Sequence, residues 1–303
     1  MNDLSMIDHA LEVWRVNAFT TTPFTGNPAG VVPDADGLSE RSMLAIAGEL
    51  NDISETVFIG QPDAKSADVR FRFFTSKTEV ALCGHATISA LFTLGWLNRI
   101  SAVNETKTIR AQTKAGVLKL KLRFEEGQPV WASMEQFTPQ TQPAPSADLV
   151  PGILGLPTSA LSDQLEIGCA STGLWACFVP LKEVSLLEQI QIDSDRIEQI
   201  WQENPEFTGV YPFAFVDHST TQGRFFSPPK FGILEDPVTG TACGALGAFL
   251  MEQGCMPKSG ELWARQGFEM GRGGVVKVSC NTNGKMNIEG QAVAVMRGEM
   301  TPG

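Results

Sequence analysis

The chain has 303 residues, of which 43% are hydrophobic and 19% are charged. This composition is ordinary for a globular protein, and the length suits one large domain or two domains of roughly 150 residues. The 34 acidic residues outnumber the 23 lysines and arginines, so the formal net charge is −11. An acidic surface repels phosphate backbones and anionic lipids, so we expect no nucleic-acid partner and no membrane partner.

The sequence contains neither an export signal nor a recognisable spacing of metal ligands. It starts at Met1 without a basic segment followed by an apolar one, so no signal peptide is predicted. Its six cysteines form no CxxC pair and no Cys/His spacing of the kind found in zinc sites. We therefore expect reduced thiols, a cytoplasmic location and no metal site.

Two helices are predicted in the first third of the chain. Ser39 can cap the first of them. The residues that share its apolar face are Met43, Leu44, Ala47 and Leu50. The segment 81–97 has no charged residue, but it contains polar side chains and falls short of the roughly 20 apolar residues that cross a bilayer. It is predicted to be a buried helix of a soluble domain.

Strands are predicted where apolar and basic residues alternate. Valine and phenylalanine alternate with arginine in 69–73, and leucine alternates with lysine and arginine in 118–124. A period of two is typical of strands with one buried and one solvated face. Such strands outnumber the predicted helices and lack the continuous apolar runs of doubly wound parallel sheets. The predicted fold class is α+β.

The two halves of the sequence resemble each other weakly. Phe71–Thr75 leads through a polar loop to Cys83 and an apolar run, and Gly223–Ser227 leads in the same way to Cys243. A glycine follows each cysteine, so the two cysteines are expected at matching positions. A repeat of this length predicts two similar lobes rather than a solenoid.

The expected lobes divide the chain near its middle. The N-terminal lobe is predicted to be 1–138, with the last strand, 288–300, as a candidate addition. The C-terminal lobe is predicted to be 139–287. The proline-containing segment 139–157 is predicted to be the crossing between the lobes.

Common nucleotide and hydrolase motifs are absent from the sequence. It has no G-x-x-x-x-G-K-[ST] loop, no G-x-G-x-x-G between a strand and a helix, no G-x-S-x-G elbow and no H-E-x-x-H. The glycine cluster at 271–274 precedes an apolar strand and favours a turn over a phosphate cradle. No organic cofactor is therefore implied.

Two candidate functional residues occur in the first half. Glu55 precedes an apolar strand, where a desolvated carboxylate has a raised pKa suited to proton transfer. The alternative is a solvated carboxylate at a strand end. His85 follows Gly84 at the start of the buried helix, where it can donate to a bound anion or be a structural histidine. The residues alone leave these alternatives open.

The segment 235–244 contains two carboxylates, two threonines and two glycines before an apolar helix. Small residues, N–H groups and hydroxyls at a helix N terminus are what a carboxylate ligand requires. The alternative is an elaborate helix cap, in which Asp236 or Thr239 satisfies only the helix.

The thiols of Cys83 and Cys243 are a further candidate pair. A thiol at a helix N terminus has a lowered pKa and can act as a base, and two thiols facing one carbon form an acid/base pair for inversion. The alternative is a pair of small buried residues beside glycines.

Taken together, these motifs identify a family likeness. The sequence resembles the PhzF-like isomerases, named for phenazine biosynthesis, along nearly its whole length. The matching segments are VNAFT at 16–20, PFTGNPAGVV at 23–32, SETVF at 54–58, RFFT at 72–75, EV at 79–80, LCGHAT at 82–87, EDPVTG at 235–240, RQG at 265–267 and GR at 271–272.

The resemblance implies a fold like that of diaminopimelate epimerase. Two pseudo-symmetric lobes each form a curved, mostly antiparallel sheet or barrel around a central helix, with the active site between them. It also implies proton transfer without a cofactor, in which Glu55 is the base and His85 and Asp236 are further catalytic residues. Homodimers are common in the family. The implied substrate-binding positions are Gly84, Ala86, Thr239, Gly240 and Thr241.

Three functional hypotheses follow from the sequence. The preferred one is a cofactor-independent isomerase that moves a proton on a small carboxylated metabolite in the cleft between the lobes. The second is a racemase or epimerase that uses Cys83 and Cys243, which match the basic cysteines of diaminopimelate epimerase. The third is a non-catalytic metabolite-binding protein.

Overall fold

The computed structural model describes residues 10–50, 55–144, 150–204, 206–229, 233–256 and 260–301. The chain divides into two units of mixed α+β structure. Unit 1 takes the described residues up to Met134 together with those from Glu289 onward, and unit 2 takes those within Glu135–Ile288.

Strands outnumber helices in the described part of the chain. The strands are β1 (Leu11–Ala18), β2 (Asn27–Val32), β3 (Glu55–Gly60), β4 (Val69–Phe74), β5 (Glu79–Val80), β6 (Thr106–Thr113), β7 (Gly116–Glu125), β8 (Gln128–Glu135), β9 (Gln140–Pro143), β10 (Gly168–Ser171), β11 (Trp175–Pro180), β12 (Phe207–Asp217), β13 (Thr220–Gly223), β14 (Phe225–Phe226), β15 (Glu235–Asp236), β16 (Glu261–Gln266), β17 (Gly274–Cys280), β18 (Met286–Gly290) and β19 (Ala292–Met300). The α-helices are α1 (Glu40–Glu49), α2 (Gly84–Trp96), α3 (Val150–Ile153), α4 (Ser194–Glu203) and α5 (Gly240–Glu252).

The sheet of unit 1 is mostly antiparallel. Its strand order is β19-β1-β2-β3-β4-β6-β7-β8, and the pairs β2–β3 and β4–β6 are parallel. Strand β7 shows the predicted alternation, because Leu118, Leu120 and Leu122 are buried while Lys119 and Lys121 are exposed. One apolar face of the sheet is thereby available to pack against a helix.

Helix α2 is the core of unit 1, as its uncharged sequence predicts. Every residue from Gly84 to Gly95 is buried, and the helix contacts β1, β2 and β3. Its hydroxyls find partners inside the core, since Thr93 donates to the Ser89 carbonyl at 2.9 Å. No helix in the described part of the chain is both long enough and apolar enough to cross a membrane.

Helix α1 begins where the sequence predicts. The Ser39 hydroxyl accepts a hydrogen bond from the Ser42 backbone N–H at 3.1 Å and so caps the helix. Met43 and Ala47 of its apolar face are buried. This helix packs on β3 and β4 and brings the chain to the residues that precede Glu55.

Unit 2 repeats the topology of unit 1. Its strand order is β9-β10-β11-β12-β13-β16-β17, and the pairs β11–β12 and β13–β16 are parallel. This pattern matches β19-β1-β2-β3-β4-β6-β7 pair by pair. Helix α5 takes the place of α2 and is buried from Gly240 to Leu250. The prediction of two pseudo-symmetric α+β lobes is confirmed.

A duplicated ion pair sets the correspondence between the units. Arg72 Nε lies 2.8 Å from Glu79 Oε1 in unit 1, and Arg224 Nε lies 2.7 Å from Glu235 Oε1 in unit 2. Each guanidinium also lies over the ring of the phenylalanine two positions later, at 5.0 and 4.8 Å. Glu79 and Glu235 are therefore equivalent residues, which the sequence repeat alone did not establish.

The segment 139–157 belongs to unit 2 and is more structured than a crossing. Its described residues include β9, which pairs with β10 in the register Gln140↔Ser171, and α3, whose Val150 and Ile153 enter the apolar core. Proline is tolerated at the end of an edge strand, so the prolines of this segment did not exclude strand pairing. Residues 145–149 lie outside the described ranges.

Candidate active site

Glu55 and His85 meet at the N terminus of α2. Glu55 is the first described residue of β3, opposite Ala29 of the parallel strand β2. His85 lies in the first turn of α2, which packs against both strands. The His85 Nε2 atom lies 3.2 Å from Glu55 Oε2. Residues 51–54, which precede Glu55, lie outside the described part of the chain.

Two further polar side chains contact the imidazole. Cys83 Sγ lies 3.5 Å from His85 Nδ1 and 3.7 Å from Nε2. Asn27 Nδ2 lies 3.3 Å from Nδ1. The His85 side chain is 7% exposed, whereas that of Glu55 is 22% exposed. The carboxylate is therefore the member of the cluster that a ligand reaches most easily.

Charge and burial act in opposite directions on His85. Burial lowers its pKa, but the neighbouring Cys83 sulfur and Glu55 carboxylate raise it by more, so the pKa lies well above the ordinary 6.5. Burial and the charge of Glu55 raise the pKa of Cys83 above the ordinary 9.0, although His85 and the Ala86 backbone N–H act the other way. These two directions favour the protonated form of His85 and the neutral thiol form of Cys83. The expected lowering of a thiol pKa by the helix N terminus is outweighed here by burial.

Asn27 is a cluster residue that the sequence reasoning missed. It is 1% exposed and begins β2 directly after Gly26. Gly26 has a φ of +68°, and a Cβ atom there would lie 2.3 Å from the Ala18 carbonyl oxygen, so only glycine makes this turn without strain. The motif PFTGNPAGVV contains both residues and was the available signal.

Asp236 and Thr239 meet at the N terminus of α5 in unit 2. The Thr239 hydroxyl donates to Asp236 Oδ2 at 2.5 Å. Thr239 is the residue before the first turn, but its side chain makes no capping hydrogen bond to the helix. Gly240 and Thr241 form the first turn and are buried. The side chain of Thr239 therefore does not cap α5.

Gln266 of β16 holds this second group of residues and was also missed. It is fully buried, and its Nε2 donates to the Asp236 carbonyl at 2.7 Å and lies 3.1 Å from Thr239 Oγ1. Its Oε1 accepts the Thr239 backbone N–H at 3.1 Å. The RQG motif contained this residue, but a glutamine in a strand gave no indication of the contact.

The predicted equivalence of Cys83 and Cys243 is wrong. When the two units are aligned on Glu79 and Glu235 of the duplicated ion pair, α2 and α5 begin at equivalent positions. Cys83, which precedes α2, therefore corresponds to Thr239, which precedes α5. Cys243 lies one turn inside α5, where unit 1 has Thr87. The two Cys-Gly dipeptides are identical in sequence, but the number of residues between the ion-pair glutamate and the cysteine differs between the two units.

Cys243 also has a different environment from Cys83. It is fully buried, with its sulfur 3.7 Å from the Tyr211 hydroxyl and 3.8 Å from Gln266 Oε1. Burial and the nearby Asp236 raise its pKa to about 12, although the hydrogen bond from Tyr211 lowers it. This thiol is neutral at physiological pH and is engaged within unit 2.

Unit 2 has no counterpart of the Glu55 cluster among its described residues. Strand register pairs Ala29 with Glu55 in unit 1 and Ala176 with Gly209 in unit 2, so Gly209 corresponds to Glu55. Thr241 corresponds to His85 by its place in the first helical turn. The duplicated fold therefore carries an imidazole–carboxylate pair in unit 1 and a threonine–aspartate pair in unit 2.

The predicted site residues thus fall into two groups. Glu55, Cys83 and His85 are brought together with the first turn of α2. Asp236 and Thr239 are brought together with the first turn of α5. The predicted substrate-binding residues in those turns are Gly84 and Ala86 in α2, and Gly240 and Thr241 in α5.

The loop after Gln266 permits a direct test of how unit 2 holds Asp236. Gly267 has a φ of +82°, and a Cβ atom there would lie 2.4 Å from the Pro237 carbonyl oxygen. Gly271 has a similar φ of +68° with nothing near its Cβ position. Gly271→Ala is expected to cost about 1–2 kcal/mol for the left-handed backbone. Gly267→Ala is expected to cost about 1–3 kcal/mol more, because of the collision.

Urea denaturation of the two alanine variants measures this difference. Equal free energies of unfolding would show that the loop moves away from Pro237 at no cost and that the contact does not hold the Asp236 segment.

Comparison with known proteins places this geometry in one family. Residues 16–298 match the family model PhzC-PhzF, described as phenazine biosynthesis-like protein. "Uncharacterized isomerase YfhB" of Bacillus subtilis is 36% identical over 289 residues, covering 93% of this chain and 96% of that protein.

Solved structures agree with the sequence comparison. The Bacillus anthracis phenazine biosynthesis protein of the PhzF family has a TM-score of 0.84 at 31% identity, covering 97% of this chain and 99% of that one. A hydroxyproline epimerase from Agrobacterium vitis has a TM-score of 0.68 at 12% identity, covering 96% and 91% of the two chains, and shares the fold alone. With a family model matched over residues 16–298, the chain belongs to the PhzC-PhzF family of phenazine biosynthesis-like proteins.

Proposed function

We propose that the protein is a cofactor-independent isomerase that moves a proton within a small carboxylated metabolite. The observation that carries this proposal is the 3.2 Å contact between Glu55 and the buried His85, whose pKa the neighbouring Cys83 and Glu55 raise. Curated relatives at 36% and 34% identity are named isomerases, which supports the same reaction class. Among the described residues this pair is found in unit 1, and the proposed reaction uses Glu55 as its one base.

In the proposed reaction Glu55 takes a proton from an activated carbon of the substrate. The electron pair of that C–H bond moves into the adjacent unsaturated or carbonyl group. The proton then returns from the Glu55 carboxyl to another carbon, so the substrate changes its bonding but not its composition. General acid–base catalysis of this kind contributes about 10²–10⁴-fold to a rate.

The imidazolium of His85 stabilises the negative charge that develops on the substrate. Asn27 lies beside its other nitrogen, Nδ1, and can accept the Nδ1 proton of the imidazolium once its side-chain amide turns to present Oδ1 in place of Nδ2. A fixed charge in a buried site is more effective than the same charge in water. The N–H groups of the first turn of α2, around Gly84 and Ala86, are assigned to the substrate carboxylate, although the Ala86 N–H also contacts the Cys83 sulfur. His85 and the N–H groups of α2 belong to unit 1, as Glu55 does.

Asp236, Thr239 and the first turn of α5 are assigned to substrate binding and proton relay. Their support is the ordered group that Gln266 holds at a second buried helix N terminus. Asp236→Asn keeps the shape of this group and removes its charge. A change in KM or kcat in that variant would support the assignment, and unchanged kinetics would remove Asp236 from the mechanism.

The two-thiol racemase is disfavoured by the structure. Cys83 and Cys243 are not equivalent, and burial raises the pKa of both. Cys83→Ser and Cys243→Ser enzymes are each expected to keep turnover within about tenfold of wild type. Cys280→Ser, a partly exposed cysteine, is the control. A loss in the range of about 10²–10⁴-fold in both variants would instead make the thiols the acid and the base.

Incubation of a panel of small amino and hydroxy acids with the protein in D₂O tests the reaction class. Because Glu55 is partly exposed, its proton exchanges with solvent, and the substrate is expected to gain deuterium at a C–H position without added cofactor. Tight binding of panel members with neither conversion nor deuteration of any compound would favour a metabolite-binding protein instead.

A further inference from the structure

The residues around His85 supply three kinds of metal ligand in one place. Glu55 offers a carboxylate oxygen, Cys83 a thiol sulfur and His85 an imidazole nitrogen, and these atoms all lie within 4.8 Å of one another. Zinc is bound in proteins by these three groups, and three protein ligands with an open fourth position are typical of accessible zinc sites. We propose that this cluster binds Zn²⁺ reversibly and that the bound metal blocks the site.

The separations of the candidate ligands suit one metal ion. With Zn–N and Zn–O near 2.1 Å and Zn–S near 2.3 Å, tetrahedral ligand atoms lie about 3.3–3.6 Å apart. His85 Nε2 lies 3.2 Å from Glu55 Oε2 and 3.7 Å from Cys83 Sγ. Small movements of these side chains are enough to place Zn²⁺ between the three atoms.

The charges and the surroundings also favour a divalent cation. On binding, Zn²⁺ displaces the proton of the Cys83 thiol and the proton of His85 Nε2 to solvent, so metal affinity should rise with pH. The resulting thiolate and the Glu55 carboxylate together neutralise Zn²⁺, so the buried complex carries no net charge. Cys83 Sγ is nearly equidistant from the two ring nitrogens, so the imidazole must turn to direct Nε2 at the metal. Asn27 Nδ2 lies 3.3 Å from Nδ1, so the Asn27 amide must turn to present Oδ1 before it can accept the Nδ1 proton, as the outer partners of metal-bound histidines do.

Bound Zn²⁺ would engage the carboxylate, the imidazole and the thiol together. Glu55 would then be unable to accept a substrate proton. This inhibitory effect rests on the proposed role of Glu55 as the base, whereas metal binding itself does not. No local motif indicates this site, because its ligands come from β3 and from the start of α2 rather than from a CxxC pair or a zinc-type Cys/His spacing.

Titration of the metal-stripped protein with Co²⁺ tests metal binding directly. A Co²⁺ ion bound by Cys83 is expected to give thiolate-to-metal charge-transfer absorption, which Zn²⁺ then abolishes by displacement. The band is expected to disappear in Cys83→Ser and to persist in Cys255→Ser and Cys280→Ser, whose cysteines lie outside the cluster. Absence of the band in the wild-type protein, or its survival in Cys83→Ser, would overturn the proposal.

Glu55→Gln provides a second variant in case Cys83→Ser does not fold. This variant should keep the thiolate band. Its metal affinity should fall by roughly 10–100-fold or more, because loss of a direct ligand weakens binding at least as much as loss of a residue that only contacts a ligand. Unchanged affinity would exclude Glu55 as a ligand and overturn the three-ligand site. In wild-type enzyme, Zn²⁺ should stop deuterium exchange and a chelator should restore it. If the Co²⁺ band forms but Zn²⁺ leaves deuterium exchange undiminished, the metal site stands and the role of Glu55 as the base is overturned.

Discussion

Replacement of Glu55 by glutamine is expected to lower kcat by about 10²–10⁴-fold. Glutamine has nearly the same shape as glutamate but cannot take a proton from carbon. Its amide can still contact His85, so we expect the dissociation constant of a substrate or product to change little. Steady-state kinetics and calorimetric titration with the same compound measure the two quantities separately.

Glu105→Gln is the matched control for this variant. Glu105 lies in unit 1 with its side chain 58% exposed, and its partner is the surface residue Lys107. The control should have wild-type kcat. Full activity in Glu55→Gln would remove this carboxylate from the chemistry, whatever the control shows.

Replacement of His85 by glutamine is expected to lower kcat/KM by about 10²–10³-fold, as the loss of a preorganised charge-stabilising group does in other enzymes. Because the pKa of His85 is raised above 6.5 by Cys83 and Glu55, the imidazolium is kept to a higher pH than in an ordinary histidine and is lost as the pH rises through that raised pKa. Wild-type kcat/KM is therefore expected to fall on the alkaline side, and this fall should be absent from the residual activity of the variant.

The exposed residue His218 gives the control for this experiment. His218→Gln should keep both the activity and the alkaline fall. If the alkaline fall persisted unchanged in His85→Gln, another group would be responsible for it and His85 would not act as a charged residue.

Much of the architecture could be predicted from local patterns. The alternation of leucine with lysine in β7 indicates a strand with one buried face. The uncharged run of α2 indicates a helix that is buried on all sides. The cap at Ser39 could also be predicted, because capping depends on residues that are close in sequence.

The details of the site depend on distant contacts and were harder to predict. The resemblance indicated Glu55 and His85, but the positions of Asn27 and Gln266 beside them follow from how strands pair, which no local pattern encodes. The mistaken match of Cys83 with Cys243 has the same origin. Two Cys-Gly dipeptides look alike in sequence, while the ion pairs that align the units lie several residues earlier.

The rate of deuterium entry at the reacting carbon in D₂O, measured for wild-type enzyme and Glu55→Gln with one substrate, tests the central claim most directly. Turnover is often limited by product release, whereas this exchange reports cleavage of the C–H bond itself. If Glu55 is the base, the variant should bind the substrate and show exchange reduced by about 10²-fold or more. Exchange at the wild-type rate in Glu55→Gln would contradict the proposed mechanism.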